Sequence, residues 1–354
     1  MTNIKLSVSV CLSPKMRLKR ALKEAGVENP ASVSKLTVSG IITKNDFRFI
    51  HNNMAKTLTE LDMSDATIKN NIFPDWDNLG CSGLISICFP KTVEKISRKF
   101  IKSQRNLCKI VVHPDNSVYE SDDGVLFNKG KTKLILYPEK KQGDYVIPDS
   151  VIEIENDAFY LCINLTSVVI PDSVKKIGKK AFTLCIGLTS IIIPNSIKEI
   201  SNYLFHRCYG LTSIIIPDSV STIGNSAFDN CPKLTSIVIP QSVKKIGYRA
   251  FFYCTGLTSV VFNYADGYAV SNSLKKIDFF TFEGCIGLTS IVIPNCIKEI
   301  SYGAFLGCTS LKSVYIPASV VKIFNNAFRD CPAFFSVHPD NPVYASENGK
   351  LINK

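Results

Sequence analysis

Cys185-Ile-Gly-Leu188-Thr-Ser-Ile191-Ile-Ile193-Pro194-Asn-Ser196-Ile197-Lys-Glu-Ile200 carries two periodicities side by side. Leu188, Ile191 and Ile193 fit a short strand with its apolar side inward, while Ala181, Phe182 and Cys185 just before it show the spacing of one helical turn. Pro194 ends the strand, because proline has no N–H to donate to a parallel ladder.

The stretch recurs. Leu165, Leu188, Leu211, Leu234 and Leu257 lie 23 residues apart, and Leu288, Leu311 and Phe334 resume the spacing after a 31-residue step that marks an 8-residue insertion. Upstream, Leu84 and Leu107 are again 23 apart. One unit of this size cannot bury its own apolar side, so neighbours must stack into a continuous core. Repeat positions then become ladders. Phe159, Phe182, Phe205, Phe228, Phe251, Phe282, Phe305 and Phe328 should form an aromatic spine behind the sheet.

The pattern Cys-x-x-Leu-Thr-Ser-Ile-x-Ile-Pro-x-Ser-Val-x-x-Ile-Gly-x-x-Ala-Phe resembles the BspA-type leucine-rich repeat over roughly residues 81–335, with a looser match in front. The resemblance implies an α/β fold, a right-handed leucine-rich-repeat β-α superhelix with inserted β-hairpins. It also implies a surface or secreted protein active in adhesion to host proteins or other cells. The motif is specific for the fold and nearly silent about the ligand.

Five segments follow. Residues 1–30 form a basic lead with a short helix ending at Gly26, and residues 31–80 a divergent leucine-rich cap. Residues 81–146 are degenerate repeats with a hairpin, 147–335 regular repeats with a loop insertion near 263–272, and 336–354 a second hairpin that caps the open end of the array or marks a chain cut short. The two hairpin stretches echo each other, from His113-Pro-Asp-Asn116-Ser-Val-Tyr119 to Asp123-Gly124 and from His338-Pro-Asp-Asn341-Pro-Val-Tyr344 to Asn348-Gly349. Asp-Gly and Asn-Gly between apolar runs signal tight hairpins. Their paired histidines and acids lack the full spacing of a calcium loop.

Thirteen cysteines invite a metal or disulfide reading. Eight of them, Cys162, Cys185, Cys208, Cys231, Cys254, Cys285, Cys308 and Cys331, share one repeat position. Neighbouring rungs lie roughly 4.7–4.9 Å apart with parallel side chains, whereas a disulfide needs converging Cβ atoms about 3.5–4.5 Å apart. A ladder of small buried thiols is the reading that follows. Cys296 stands where other repeats have a serine suited to bonding loop backbone between repeats, such as Ser173, Ser196 and Ser219. There is no Cys-x-x-Cys, no Gly-x-Ser-x-Gly, no glycine-rich phosphate loop and no paired metal-binding histidines. The chain therefore reads as non-enzymatic, with no catalytic residue, cofactor or metal.

The net charge of +11 is concentrated in residues 1–146, which hold 23 Lys and Arg against 15 Asp and Glu. This basic lead motivates a second reading, an intracellular scaffold or nucleic-acid binder, although no nucleic-acid motif accompanies the charge. The opening stretch is a weak signal peptide and no apolar run is long enough to span a membrane.

Between the inward residues of each strand, two columns face out. One is mostly serine. The other is aliphatic, comprising Val169, Ile192, Ile215, Val238, Val261 and Val292 and ending in Tyr315. An exposed aliphatic stripe suggests a contact surface for a protein or glycan ligand, or for self-association; β-branched residues are also simply good strand formers. Tyr264 and Tyr268 in the insertion complete the candidate site, since loops at strand ends commonly carry binding.

Overall fold

The 23-residue spacing becomes backbone register: Ser190, Ile191 and Ile192 pair in parallel with Ser213, Ile214 and Ile215. The computed structural model describes residues 6–73, 81–263 and 274–354, in two units, Met1–Gln142 and Gly143–Lys354.

In the first unit, the parallel strands Leu6–Leu12, Val33–Ile42, Glu60–Asp62, Ser86–Phe89 and Lys109–Val112 lie side by side. Gly40, at φ +74°, sits so close to the first strand that a Cβ would meet the Leu12 carbonyl oxygen at 2.0 Å, so this crossing requires glycine. The helices Leu18–Glu24, Lys44–Met54 and Arg98–Ser103 belong to this unit. Buried Asp46 ties two helix starts together, accepting from the Thr43 N–H and the Leu18 N–H, each at 3.0 Å. It thereby satisfies donors that a helix N-terminus leaves free.

The second unit carries the regular repeats and ends in a hairpin. One row of parallel strands includes Gly143–Val146, Leu165–Val169, Ser190–Ile192 and Ser213–Ile215, and continues in Ser236–Pro240 with Ser259–Asn263 and in Ser290–Val292, Ser313–Ile316 and Phe334–Val337. After Pro194 or its equivalent the chain turns into a two-residue strand, as in Glu199–Ile200 beside Thr222–Ile223 and Lys245–Ile246. Between the two rows lies the core. Seven rings from Phe159 to Phe305 are buried, and all eight stack with centroids 4.8–5.7 Å apart and planes within 16° of parallel.

The segment expected to make one helical turn does something else. Among the described residues this unit has no helix, and the stretch around Ala181, Phe182 and Cys185 is a run of turns. The N–H groups of Lys180, Phe182 and Leu184 donate to Asn202, His206 and Leu204 carbonyls of the next repeat, in the pairs Lys180–Asn202, Phe182–Leu204 and Leu184–His206 at 3.1, 3.0 and 2.9 Å. A helix would keep those bonds within one repeat. Reaching the next repeat requires left-handed backbone at Lys180 and Leu184, at φ 59° and 62°. The roughly 1–2 kcal/mol strain of such a residue is offset by bonds between repeats.

Candidate functional site

Strand alternation sorts each triplet. Val168 is 4% exposed and its neighbour Val169 55%; Ile191 is 4% and Ile192 74%. The structure brings the predicted aliphatic column together on one face: Val169, Ile192, Ile215, Val238, Val261 and Val292 are all 49–74% exposed, and Tyr315, half-buried, follows Val292 in register. Ile192 pairs with Ile215 and Val238 with Val261. Tyr264 and Tyr268 lie outside the described residues.

Sequence reading missed the two ends of this face. Val146, 66% exposed, pairs with Val169 and extends the column by one rung. Its signal was the triplet Tyr145-Val146-Ile147, which repeats the in-out-in alternation 23 residues before Val168-Val169-Ile170. At the other end Phe334 lies beside Ser313, an exposed aromatic next to the serine column.

Two hydroxyl columns flank the aliphatic one. Ser190, Ser213, Ser236, Ser259 and Ser290 are exposed, as are Thr189, Thr212, Thr235, Thr258 and Thr289. Some threonines tie neighbouring rungs, Thr212 and Thr258 donating to the Thr189 and Thr235 carbonyls at 3.1 and 3.0 Å. No charged side chain stands in these three columns from residue 166 to residue 292, until Lys312. Such a surface offers hydroxyls, aliphatic area and regular spacing, with no group that could transfer a proton near neutral pH.

The residues that looked like chemistry hold the fold. Each column thiol from Cys185 to Cys331 donates to the carbonyl of a phenylalanine in the preceding repeat, from Cys185 on Phe159 at 3.0 Å to Cys285 on Phe251 at 3.2 Å. All thirteen cysteines are free thiols. Burial pushes the Cys208 thiol up to about 12, and Cys185, Cys231 and Cys285 are raised strongly for the same reason. The serine column does similar work: Ser173, Ser219, Ser242 and Ser319 donate to Val151, Ile197, Val220 and Ile297 carbonyls at 2.6–2.8 Å. Among the described residues no group of three or more His, Cys, Asp or Glu could hold a metal ion.

The duplicated motif is a clip. Asn341, fully buried, donates to the Pro317 and Val320 carbonyls at 2.8 and 3.0 Å and accepts from the Val343 and Tyr344 N–H groups at 2.9 and 2.7 Å. Asn116 makes the same bonds to Pro90, Val93, Val118 and Tyr119. His113 and His338 each accept from the N–H two residues on, at 3.1 Å. Both hairpins follow, Tyr119–Asp122 with Val125–Asn128 and Tyr344–Glu347 with Lys350–Asn353. We expect Asn341→Ala to cost about 2–3 kcal/mol, because it strands buried donors and acceptors together. Urea unfolding gives the loss, and hydrogen exchange should show protection falling first in Tyr344–Glu347.

The basic clusters are partly neutralised. Arg17 lies 3.5 Å from Asp46, Arg20 2.8 Å from Glu24 and Arg105 3.5 Å from Glu139. Of the lysine pairs, Lys176 meets Glu153 at 2.7 Å and Lys276 meets Glu299 at 3.0 Å.

A sequence profile described as "BspA type Leucine rich repeat region" matches residues 136–258 and 264–348, in six copies. The chain belongs to the BspA-type leucine-rich repeat family. The profile begins at residue 136, so the earlier repeats, from residue 81, lie outside it. A leucine-rich repeat protein of T. pallidum is 31% identical, the match covering 56% of this chain and 89% of that one, with a TM-score of 0.46. Leucine-rich repeat proteins of Bacteroides ovatus and Eubacterium ventriosum share the fold at 22% and 20% identity, with TM-scores of 0.52 and 0.51. These matches cover 94% and 98% of this chain and 92% and 94% of theirs. No curated protein matches the chain at a significant level. The BspA-type repeat is a binding scaffold and typically non-catalytic. No helix among the described residues is long and apolar enough to cross a membrane.

Proposed function

We propose that this BspA-type chain is an adhesive binding module, displayed at a cell surface or secreted, that captures a protein or glycan ligand on the sheet face of its second unit. One observation carries the reading: an uncharged column from Val169 to Val292 is 49–74% exposed on strands fixed by the core beneath. A row of such side chains at rung spacing buries apolar area without first being ordered, so little of the binding free energy is lost to conformational entropy. The hydroxyls alongside it, on the side where each strand begins, supply hydrogen bonds that fix register. The insertion carrying Tyr264 and Tyr268 follows the strand Ser259–Asn263 in sequence, and tyrosines supply contact area at low entropic cost.

The test uses the full chain coated on beads and offered to an epithelial cell monolayer. Ile192→Glu with Ile215→Glu should reduce bead adherence at least tenfold while leaving thermal unfolding nearly unchanged, since exposed substitutions usually cost within about 0.5 kcal/mol. Tyr264→Ala with Tyr268→Ala should weaken it as well. Adherence of both folded double variants at the parent level would sink the reading. Antibody labelling of intact producing cells checks the compartment, and labelling only after lysis would turn attention to the intracellular scaffold.

A further inference from the structure

On the third side of each repeat, the turns after the two-residue strand, most of the second unit is polar. The second residue past each two-residue strand is Asn156, Lys179, Asn202 and Asn225 in successive repeats. Asparagine there is structural: Asn202 accepts from the Asn225 N–H at 2.8 Å, and Asn225 from the Tyr248 N–H at 3.1 Å. In the next three repeats the pattern changes, before asparagine returns at Asn325. Tyr248, Phe279 and Tyr302 take that position, and the Phe279 N–H turns back to its own neighbour Asp278 at 2.8 Å. A bond between repeats has been given up for rings that are 37–38% exposed and so contribute only part of their area to the core.

Tyr248, with Phe252 and Phe280, gathers around one guanidinium. The Arg249 guanidinium carbon lies 4.3 Å from the Phe252 ring centre, 5.1 Å from Tyr248 and 5.6 Å from Phe280. Tyr248, Phe280 and Tyr302 form an edge-to-face chain with centroids 5.9 and 5.5 Å apart. The space for two rings comes from missing side chains: a Cβ on Gly303 would meet the Phe280 ring at 2.5 Å, and one on Gly284 would meet the Tyr253 ring at 2.9 Å. Glu283 stands near Arg249, whose charge partly counters the effect of burial on its carboxyl. Arg249 Nε and Glu283 Oε2 are both buried with no hydrogen-bond partner. Both residues are half-buried, and neither finds an internal hydrogen bond for that atom.

We infer that this aromatic platform binds a neutral glycan. Half-exposed rings, held by glycine rests and by a guanidinium, present apolar faces on which the C–H face of a pyranose can stack. Arg249 and Glu283, opposite in sign and each half-buried, leave the platform without a strong net charge of its own, which suits an uncharged polyol. Aromatic walls with a few polar groups are the usual make-up of a small-molecule site. From Tyr248 to Tyr302 the platform crosses two repeat steps, about 10 Å at 4.7–4.9 Å per rung, the length of two to three sugar rings. The site lies on different residues from the sheet face and does not depend on it.

The experiment is native gel electrophoresis of the full chain through gels containing dextran, laminarin, mannan, galactan or xyloglucan, with heparin as the anionic comparison. At least one neutral polysaccharide should retard the chain. Tyr248→Ala with Tyr302→Ala, shown by circular dichroism to be folded, should weaken that retardation at least tenfold, and Ile192→Glu with Ile215→Glu should leave it intact. Retardation by none of the neutral polysaccharides overturns the inference. So does retardation that survives loss of both tyrosines, or that occurs with heparin alone.

Discussion

Raising the pH above about 9 should progressively destabilise the repeat unit, in reducing buffer and without denaturant. In an unfolded chain the thiols ionise near their ordinary value of 9.0, whereas burial holds Cys208 protonated to about 12. Between those two values the folded state binds more protons than the unfolded state, so stability falls as pH rises; below 9 the contribution is constant. Each pH unit removes about 1.4 kcal/mol per thiol, and about 4 kcal/mol over the whole interval for Cys208. Cys185, Cys231 and Cys285 are equally enclosed and raised in the same direction. All four thiols therefore act in one direction, each adding to the loss of stability as the pH rises above 9. Far-UV circular dichroism and thiolate absorbance should change together. Tyrosines and lysines also titrate in this range, so the decisive comparison is Cys208→Ala, in which the slope of stability against pH should drop by one thiol's share. Ionisation of the Cys208 thiol near pH 9 with the circular dichroism unchanged, read as the difference in thiolate absorbance between the parent and Cys208→Ala, would refute the enclosed column.

Phe228→Ala should destabilise the unit by about 3–5 kcal/mol. The ring is fully buried between Phe205 at 5.5 Å and Phe251 at 5.2 Å, stacked nearly parallel to both, and its removal leaves a void facing two rungs at once. Phe328, at the end of the stack, is half-buried and meets Phe335 edge-on at 5.1 Å, so Phe328→Ala should cost clearly less. Because repeats contact only their neighbours, the loss should split or broaden the unfolding transition rather than shift it whole. Equal costs at the two positions in urea titrations would show that stacking order does not carry the stability.

The sequence made the ladders legible because each repeat samples the same environment. Phe182, Cys185, Ser196 and Ile192 could be assigned to core, core, loop bond and surface from their recurrence, and the structure puts them there. What recurrence cannot convey is the partner of a hydrogen bond. Cys185 could be read as a small buried residue, but its bond to the Phe159 carbonyl depends on how far one repeat is offset from the next. The same applies to the turns after Ala181: spacing alone cannot distinguish one helical turn from a bent segment whose N–H groups reach the following repeat. The candidate stripe was legible because strand alternation is a local property. The platform around Arg249 was not, since it departs from the repeat and is assembled from three successive units.

The bonds from the cysteine column to phenylalanine carbonyls and from Ser173, Ser219, Ser242 and Ser319 each join residues 22 or 26 positions apart, or 34 where the insertion intervenes. A contact distance that does not grow along the array has an evolutionary consequence. Duplicating or deleting a whole repeat changes neither the longest loop to be closed nor the partners any residue must find, so loop-closure entropy stays constant while the footprint changes by one rung. Gene slippage in this region would therefore lengthen or shorten the sheet face in steps of 23 residues, leaving each remaining repeat with the same folding problem as before.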